Sequence, residues 1–211
     1  MKFTYSIPTK ILFGPGSFND LATTPLPGKK ALVVITAGKS MRANGYLDRL
    51  IDMLDKQGIG HALFDKILPN PVLRHVHEGA ALAREQGCDF VIGLGGGSSI
   101  DSAKSIAVMA KNPGDYWDYI SGGSGKGQPL VNGALPIVAI ATTAGTGTEA
   151  DPWTVITKED TNEKIGFGCA ETFPVLSVVD PEMMLTIPAH LTAYQGFDAL
   201  FHNTEVMMSK G

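Results

Sequence analysis

Phe90-Val91-Ile92-Gly93-Leu94-Gly95-Gly96-Gly97-Ser98-Ser99-Ile100-Asp101-Ser102-Ala103-Lys104 is the stretch on which the fold turns. Phe90 to Leu94 is an apolar run short enough for a strand buried on both faces, as in a parallel sheet. A helix follows from about Ser99 to Ala110, and between the two stands a run of glycines. Such a run fits a tight strand-to-helix turn or a backbone that must come close to a ligand.

The same alternation repeats upstream. Ala31 to Thr36 is a second buried strand, and Tyr46 to Lys56 carries Leu47, Leu50, Ile51 and Leu54 at helical spacing until Gly58 stops it. A short strand at His61 to Phe64, the turn Pro69-Asn70-Pro71 and a helix from about Val72 to Gln86 complete three strand–helix pairs. The pattern predicts an α/β fold: a Rossmann-like open parallel sheet with helices on both faces. Near the N-terminus, Phe3 to Ile7 and Ile11 to Phe13 are expected as a hairpin or edge strands. Downstream, Asn112 to Leu135 is expected as a surface loop and Pro136 to Ala141 as a further buried strand. Val155 to Thr157, Lys164 to Phe167 and Leu176 to Val179 are expected as short strands. From Pro188 the character changes to a helix, Ala189 to Ser209. The division expected is therefore an α/β domain over 1–187 and the start of an all-helical domain over 188–211.

Composition narrows the function. The chain has 211 residues, 44% hydrophobic and 18% charged, which is incompatible with disorder of its bulk. With 17 basic against 21 acidic residues its net charge is −4, so a nucleic-acid partner is not expected. No apolar run nears the ~20 residues of a membrane span, and no signal-peptide pattern opens the chain. Two cysteines, Cys88 and Cys169, make no disulfide framework, which fits a reducing cytoplasm. Glycine, at 25 residues, is nearly twice the usual ~7%.

The glycines point to an anion. Backbone N–H groups at a helix N-terminus, freed of Cβ bulk, cradle phosphate, and Ser98 and Ser99 add hydroxyls. The run is not a Walker A loop, because no Gly-Lys-Ser/Thr stands at the required spacing. Nor is it the usual dinucleotide fingerprint, since the third glycine is missing and the run follows the third strand rather than the first. A second turn, Thr142-Thr143-Ala144-Gly145-Thr146-Gly147-Thr148-Glu149, follows the strand at Pro136 to Ala141. Ligands of open α/β sheets sit beyond the carboxyl ends of strands, so two such turns make a nucleotide the natural candidate.

Taken in order, these pieces resemble the iron-containing (group III) alcohol dehydrogenases. The resemblance rests on Phe13-Gly14-Pro15-Gly16, Pro69-Asn70-Pro71, Gly95 to Lys104, Thr142 to Glu149 and Gly196-Phe197-Asp198-Ala199-Leu200-Phe201-His202. It implies a dehydroquinate synthase-like fold and a nicotinamide dinucleotide on Gly95, Gly96, Gly97, Ser98, Ser99 and Asp101. Thr142, Thr143, Thr146 and Lys164 are implied as further contacts. Glycerol dehydrogenase and dehydroquinate synthase are neighbours within the fold, but the threonine turn and the Asp198–His202 segment favour alcohol dehydrogenases. NAD-preferring relatives carry an acidic residue at the end of the strand near Thr36, whereas this chain has Ala37-Gly38-Lys39-Ser40. Gly38, Lys39 and Ser40 are therefore expected to welcome a 2′-phosphate, making NADP(H) the first choice and NAD(H) the second.

Asp198 and His202 stand at i and i+4 on one helix face, a donor pair suited to Fe²⁺ or Zn²⁺. The resemblance makes them the first two of four metal ligands, with two histidines farther along that this sequence does not reach. His61, His75, His77 and His190 match no ligand, and His75 and His77 are expected on solvated surface. The expectation is a fragment or truncated product of a metal-dependent oxidoreductase acting on small alcohols or aldehydes, itself inactive. The alternatives are an NADP(H)-binding module without turnover, and a half-protein completed by another chain. In that last case Leu200, Phe201, Val206 and Met207 would form an interface or an aggregation liability. A homo-oligomer is left open.

Overall fold

The computed structural model describes residues 2, 4 and 6–209. Among the described residues, eight strands and five α-helices follow one another as β1 (Lys10–Phe13), β2 (Lys30–Thr36), α1 (Ser40–Ala43), α2 (Tyr46–Lys56), β3 (Gly60–Ile67), α3 (Leu73–Glu85), β4 (Phe90–Gly95), α4 (Gly97–Lys111), β5 (Ile137–Ala141), β6 (Thr154–Lys158), β7 (Glu163–Phe167), β8 (Leu176–Val179) and α5 (Ala189–Met208). Six strands form one sheet in the order β1-β8-β5-β4-β2-β3. Every pairing in it is parallel, so the architecture is the α/β sheet that the alternation predicts. β6 and β7 stand apart as an antiparallel pair.

Alternation along β2 builds the two sides of the sheet. Ala31, Val33 and Ile35 pack with Leu47, Leu50 and Leu54 of α2, while Leu32 and Val34 pack with Val76 and Ala80 of α3 and Ala103 and Ile106 of α4. Both sets are fully buried, which is why β2 reads as an unbroken apolar run. Two glycines permit the closest approaches. A Cβ on Gly93 would stand 2.9 Å from Ile100 Cα, and one on Gly79 would overlap the Ile106 side chain. β4 against α4 and α3 against α4 can therefore pack at these distances only without side chains there.

The N-terminal expectation is settled in part. Phe3 and Tyr5 lie outside the described residues. Ile11–Phe13 falls in β1, which pairs in parallel with β8 and is an edge strand rather than half of a hairpin. Asp180, 1% exposed, ties this edge down by accepting from the N–H groups of Gly16 (3.2 Å), Phe18 (3.1 Å) and Glu182 (2.9 Å). The segment 112–135 is not simply a surface loop. It holds a single 3₁₀ turn at Tyr116–Asp118 and buries Tyr116, Trp117, Tyr119 and Ile120 against α3, α4 and β7.

One histidine expectation is overturned. His75 is buried, 4% exposed, edge-on to Phe64 at 6.3 Å. The α3 face it shares with Val76 and Gly79 turns toward the sheet. His77 bonds Asp115 across 3.2 Å. Burial, with Arg74 adding to it, holds the His75 imidazole below its ordinary value of 6.5. The unfolded chain therefore takes up this proton first, so the contribution is complete above about pH 6.5 and declines as pH falls through and below it. The stability of the chain relative to His75→Leu should therefore fall as the pH drops from about 7.5 to 5, read by melting of both. Parallel curves would refute this.

α5 differs from the other helices. None of its residues is buried, and Leu191, Tyr194, Phe197, Leu200, Phe201, Val206, Met207 and Met208 are exposed. No helix among the described residues is long and apolar enough to cross a membrane.

Candidate functional site

The sheet order reverses direction at β2. The chain leaves β2 for β3 on one side and returns for β4 on the other, and this reversal opens a crevice beyond the strand ends. A cleft of about 490 Å³ lies there. Thr36, Ala37, Gly38, Ser40 and Met41 form its wall at the end of β2; Gly95, Gly96, Gly97 and Ser98 form the floor after β4; Thr142, Thr143, Ala144 and Thr146 form the wall after β5. Leu191, Tyr194, Gln195 and Asp198 of α5 close the remaining side. The cleft runs on into a smaller pocket of about 160 Å³ that reaches Tyr46, Met183 and Ile187.

The floor has the form that an anion needs. Gly95 has φ +145°, a conformation that other L residues rarely adopt, and it turns the chain into α4. Among the described residues no side chain caps α4; Ser99 N–H turns back to Gly96 O at 3.0 Å, and the N–H groups of Gly97 and Ser98 are left for a ligand. A Cβ on Gly96 would stand 2.9 Å from Thr143 Oγ1, and one on Gly97 would stand 3.3 Å from Thr146 Cγ2. The two turns thus approach each other across their glycines. Thr142 N–H donates to Gly95 O at 2.9 Å, which ties their starts together.

Several expected residues are placed elsewhere. Lys39 is exposed and does not line the cleft; it precedes α1 and its side chain leaves toward solvent, while Gly38 and Ser40 on either side do line it. Ser99 does not line it either. Its hydroxyl is fully buried against Gly95 and has no partner. Ser98 reaches the cleft, with its hydroxyl donating to Pro69 O. Asp101 sits one turn into α4, and its carboxylate accepts from Thr148 Oγ1 (2.7 Å) and Val155 N (3.0 Å), off the cleft. Burial pushes this carboxyl above the usual carboxylate range against the pull of those two bonds. Lys164 is exposed on β7 and donates to Asn70 Oδ1 at 3.2 Å, beside Pro69 on the rim.

Residues not expected from the sequence complete the far wall. Gln195 Oε1 accepts from Ala144 N–H at 2.6 Å, and the Cβ of any residue replacing Gly145 would stand 2.8 Å from Asp198 Oδ2. α5 therefore lies directly on the threonine turn. A signal for this is present in the chain: Leu191, Gln195, Asp198 and His202 recur at three- and four-residue spacing, one helix face.

Asp198 and His202 do share that face, with His202 Nε2 3.6 Å from Asp198 Oδ1. Asp198 lines the cleft, while His202 lines an adjoining cavity of about 250 Å³ with Asp101, Thr146, Thr148, Asp151, Trp153 and Val155. A carboxylate and an imidazole are suitable donors for Fe²⁺ or Zn²⁺. Catalytic sites use at least three protein ligands, and no group of three or more His, Cys, Asp or Glu is arranged for a metal among the described residues. The donor chemistry fits, but the number falls short of a catalytic metal centre.

The family profile described as "Iron-containing alcohol dehydrogenase" matches residues 8–181. The chain is 39% identical over 209 residues to a choline dehydrogenase of Bacillus subtilis, covering 98% of this chain and 51% of that protein. It is 36% identical over 207 residues to NADH-dependent butanol dehydrogenase B of Clostridium acetobutylicum, covering 98% and 52%. The chain thus spans about half the length of these relatives. Among solved structures, an archaeal halo-thermophilic alcohol dehydrogenase from a Red Sea brine pool superposes with a TM-score of 0.92 at 37% identity, over 100% of this chain and 54% of that one. NADH-dependent butanol dehydrogenase A of Thermotoga maritima gives 0.89 at 36% identity, over 97% and 50%. With the profile covering most of the chain and the fold matched throughout, this protein belongs to the iron-containing alcohol dehydrogenase family.

Proposed function

We propose that this chain forms the dinucleotide-binding part of a metal-dependent oxidoreductase that interconverts a small alcohol and its aldehyde. One observation carries the proposal: the glycine floor, the threonine turn and Asp198 of α5 converge on a single cleft at the reversal point of the sheet. The division proposed is an α/β domain over 1–187 and the first helix of a helical domain over 188–211. When bound, a nicotinamide dinucleotide supplies or accepts the hydride and Fe²⁺ or Zn²⁺ supplies Lewis acidity.

The chain's own residues bind and orient. Gly96 and Gly97 let a pyrophosphate reach the α4 amides, and Thr142, Thr143 and Thr146 offer hydroxyls from the facing wall. Asp198 and His202 would hold the metal beside them, with further donors still required. The chain as it stands is therefore proposed to bind dinucleotide without turning over alcohol. Cys88 and Cys169 are both free thiols, which fits a reducing cytoplasm.

NADP(H) is proposed as the tighter cofactor because the β2 wall of the cleft carries no carboxylate to repel a 2′-phosphate. Lys39 does not support this choice, and several relatives bear names specifying NADH. Titrating the chain with NADPH and separately with NADH, read by cofactor fluorescence alongside a butanal reduction assay, separates these readings. Tighter NADPH binding without turnover is the expected result. Tighter NADH binding would reverse the cofactor choice, and failure to bind either would sink the reading of the cleft.

A further inference from the structure

Lys104 is the buried charge that the proposed function leaves unused. It is 0% exposed, two turns into α4. Its ammonium donates to Thr148 Oγ1 (2.7 Å), Trp153 O (2.7 Å) and Asp151 O (2.9 Å), with Asp151 Oδ1 at 3.2 Å. Thr148 passes the connection on, since its hydroxyl accepts from Lys104 and donates to Asp101 Oδ1 at 2.7 Å. Asp101, Lys104 and Ser105 occupy one face of α4, and Ser105 completes it by bonding Thr154 Oγ1 at 2.7 Å.

This polar face holds the segment that leaves the threonine turn. The turn is anchored at its start by the bond from Thr142 N–H to Gly95 O, and at its end by Thr148 on Lys104 and Asp101. Both anchors lead back to the β4–α4 unit that carries the glycine floor. Burying an ammonium costs desolvation energy, and burial pushes the Lys104 ammonium toward its neutral form. An apolar chain of similar length would fill the space without that cost, but it would leave Thr148 and the carbonyls of Asp151 and Trp153 without their donor.

We propose that Lys104 is a positioning residue for the cleft: through Thr148 it fixes the separation between the threonine turn and the glycine floor, and so the fit of any ligand that spans both. The inference rests on the dinucleotide reading given above. A ligand touching both turns should feel a change of separation, whereas one needing a single phosphate site should not.

The test compares NADPH with 5′-AMP on the full chain. Lys104→Met and Thr148→Val should each raise the Kd for NADPH by about tenfold or more, as loss of a supporting contact does elsewhere, while AMP binding stays within about twofold. Thr148→Ser, which keeps the hydroxyl, should restore NADPH binding to within about twofold of the unaltered chain. Equal weakening of both ligands, or unchanged NADPH affinity in the variants, overturns the inference and leaves the cleft reading standing. No NADPH binding by the unaltered chain overturns both. Should Lys104→Met fail to fold, Lys104→Gln takes its place in the same comparison of NADPH with AMP.

Discussion

Gly96→Val should abolish dinucleotide binding while leaving the protein folded. Gly96 has φ −82° and ψ −171°, a backbone open to any residue, so valine brings no strain of its own. Its Cβ would stand 2.9 Å from Thr143 Oγ1 and 3.1 Å from Thr143 Cγ2. Thr143 is only half-buried and can turn aside. The valine methyl groups would then occupy the mouth of the uncapped α4 N-terminus, where a phosphate is expected to lie. A rise in Kd of about 100-fold or more, roughly 2.7 kcal/mol of binding energy, is expected, with melting shifted by only a few degrees. Gly96→Ala should fall between. NADPH binding by Gly96→Val within about threefold of the unaltered chain would place the phosphates elsewhere.

The largest loss of stability is expected from Asp180→Ala. The carboxylate serves three backbone donors, those of Gly16, Phe18 and Glu182, and is 1% exposed. Alanine leaves all three without an acceptor beneath Phe18, which is itself fully buried. Bonds to a charged group contribute about 1.5–3 kcal/mol each, non-additively, so a loss of about 3 kcal/mol is expected. For a chain of this size that corresponds to roughly 6–12 °C in Tm. Urea unfolding checks it, and a loss below about 0.5 kcal/mol would mean that water replaces the carboxylate. Asp180→Asn should recover part of the loss, since it retains one acceptor oxygen.

Asp180 also shows where a single sequence stops being informative. The Asp180-Pro181 pair announces only the local cap on Glu182; the groups Asp180 serves in the N-terminal turn lie more than 160 residues away. The sheet is legible because β2, β4 and β5 are each continuous apolar runs bounded by glycine or threonine turns, a local signal. The floor and the threonine wall of the cleft are legible for the same reason. Asp101 reads as a cofactor contact along with its neighbours, but at 1.5 Å rise per residue it lies about 6 Å further along α4 than Gly97. There it faces Thr148 instead. Lys39 reads as a phosphate ligand by charge alone, and only the folded chain shows that Gly38 and Ser40 face inward while it does not. Gln195 requires knowing that α5 lies across the threonine turn, a fact of tertiary packing.

The place of β1 in the sheet sets a timetable for synthesis. Among the described residues its one sheet neighbour is β8, and the Gly16 and Asp180 that pin the two together are 164 residues apart. At roughly 5–20 residues per second, a ribosome needs on the order of ten to thirty seconds to deliver the second partner after the first. Over that interval β2, β3 and β4 can already assemble, while β5 keeps an open flank and Leu12 has no core to enter. β1, made before the other strands of its sheet, is thus the last of them to be seated, and a nascent chain stalled before residue 176 should expose that segment to protease.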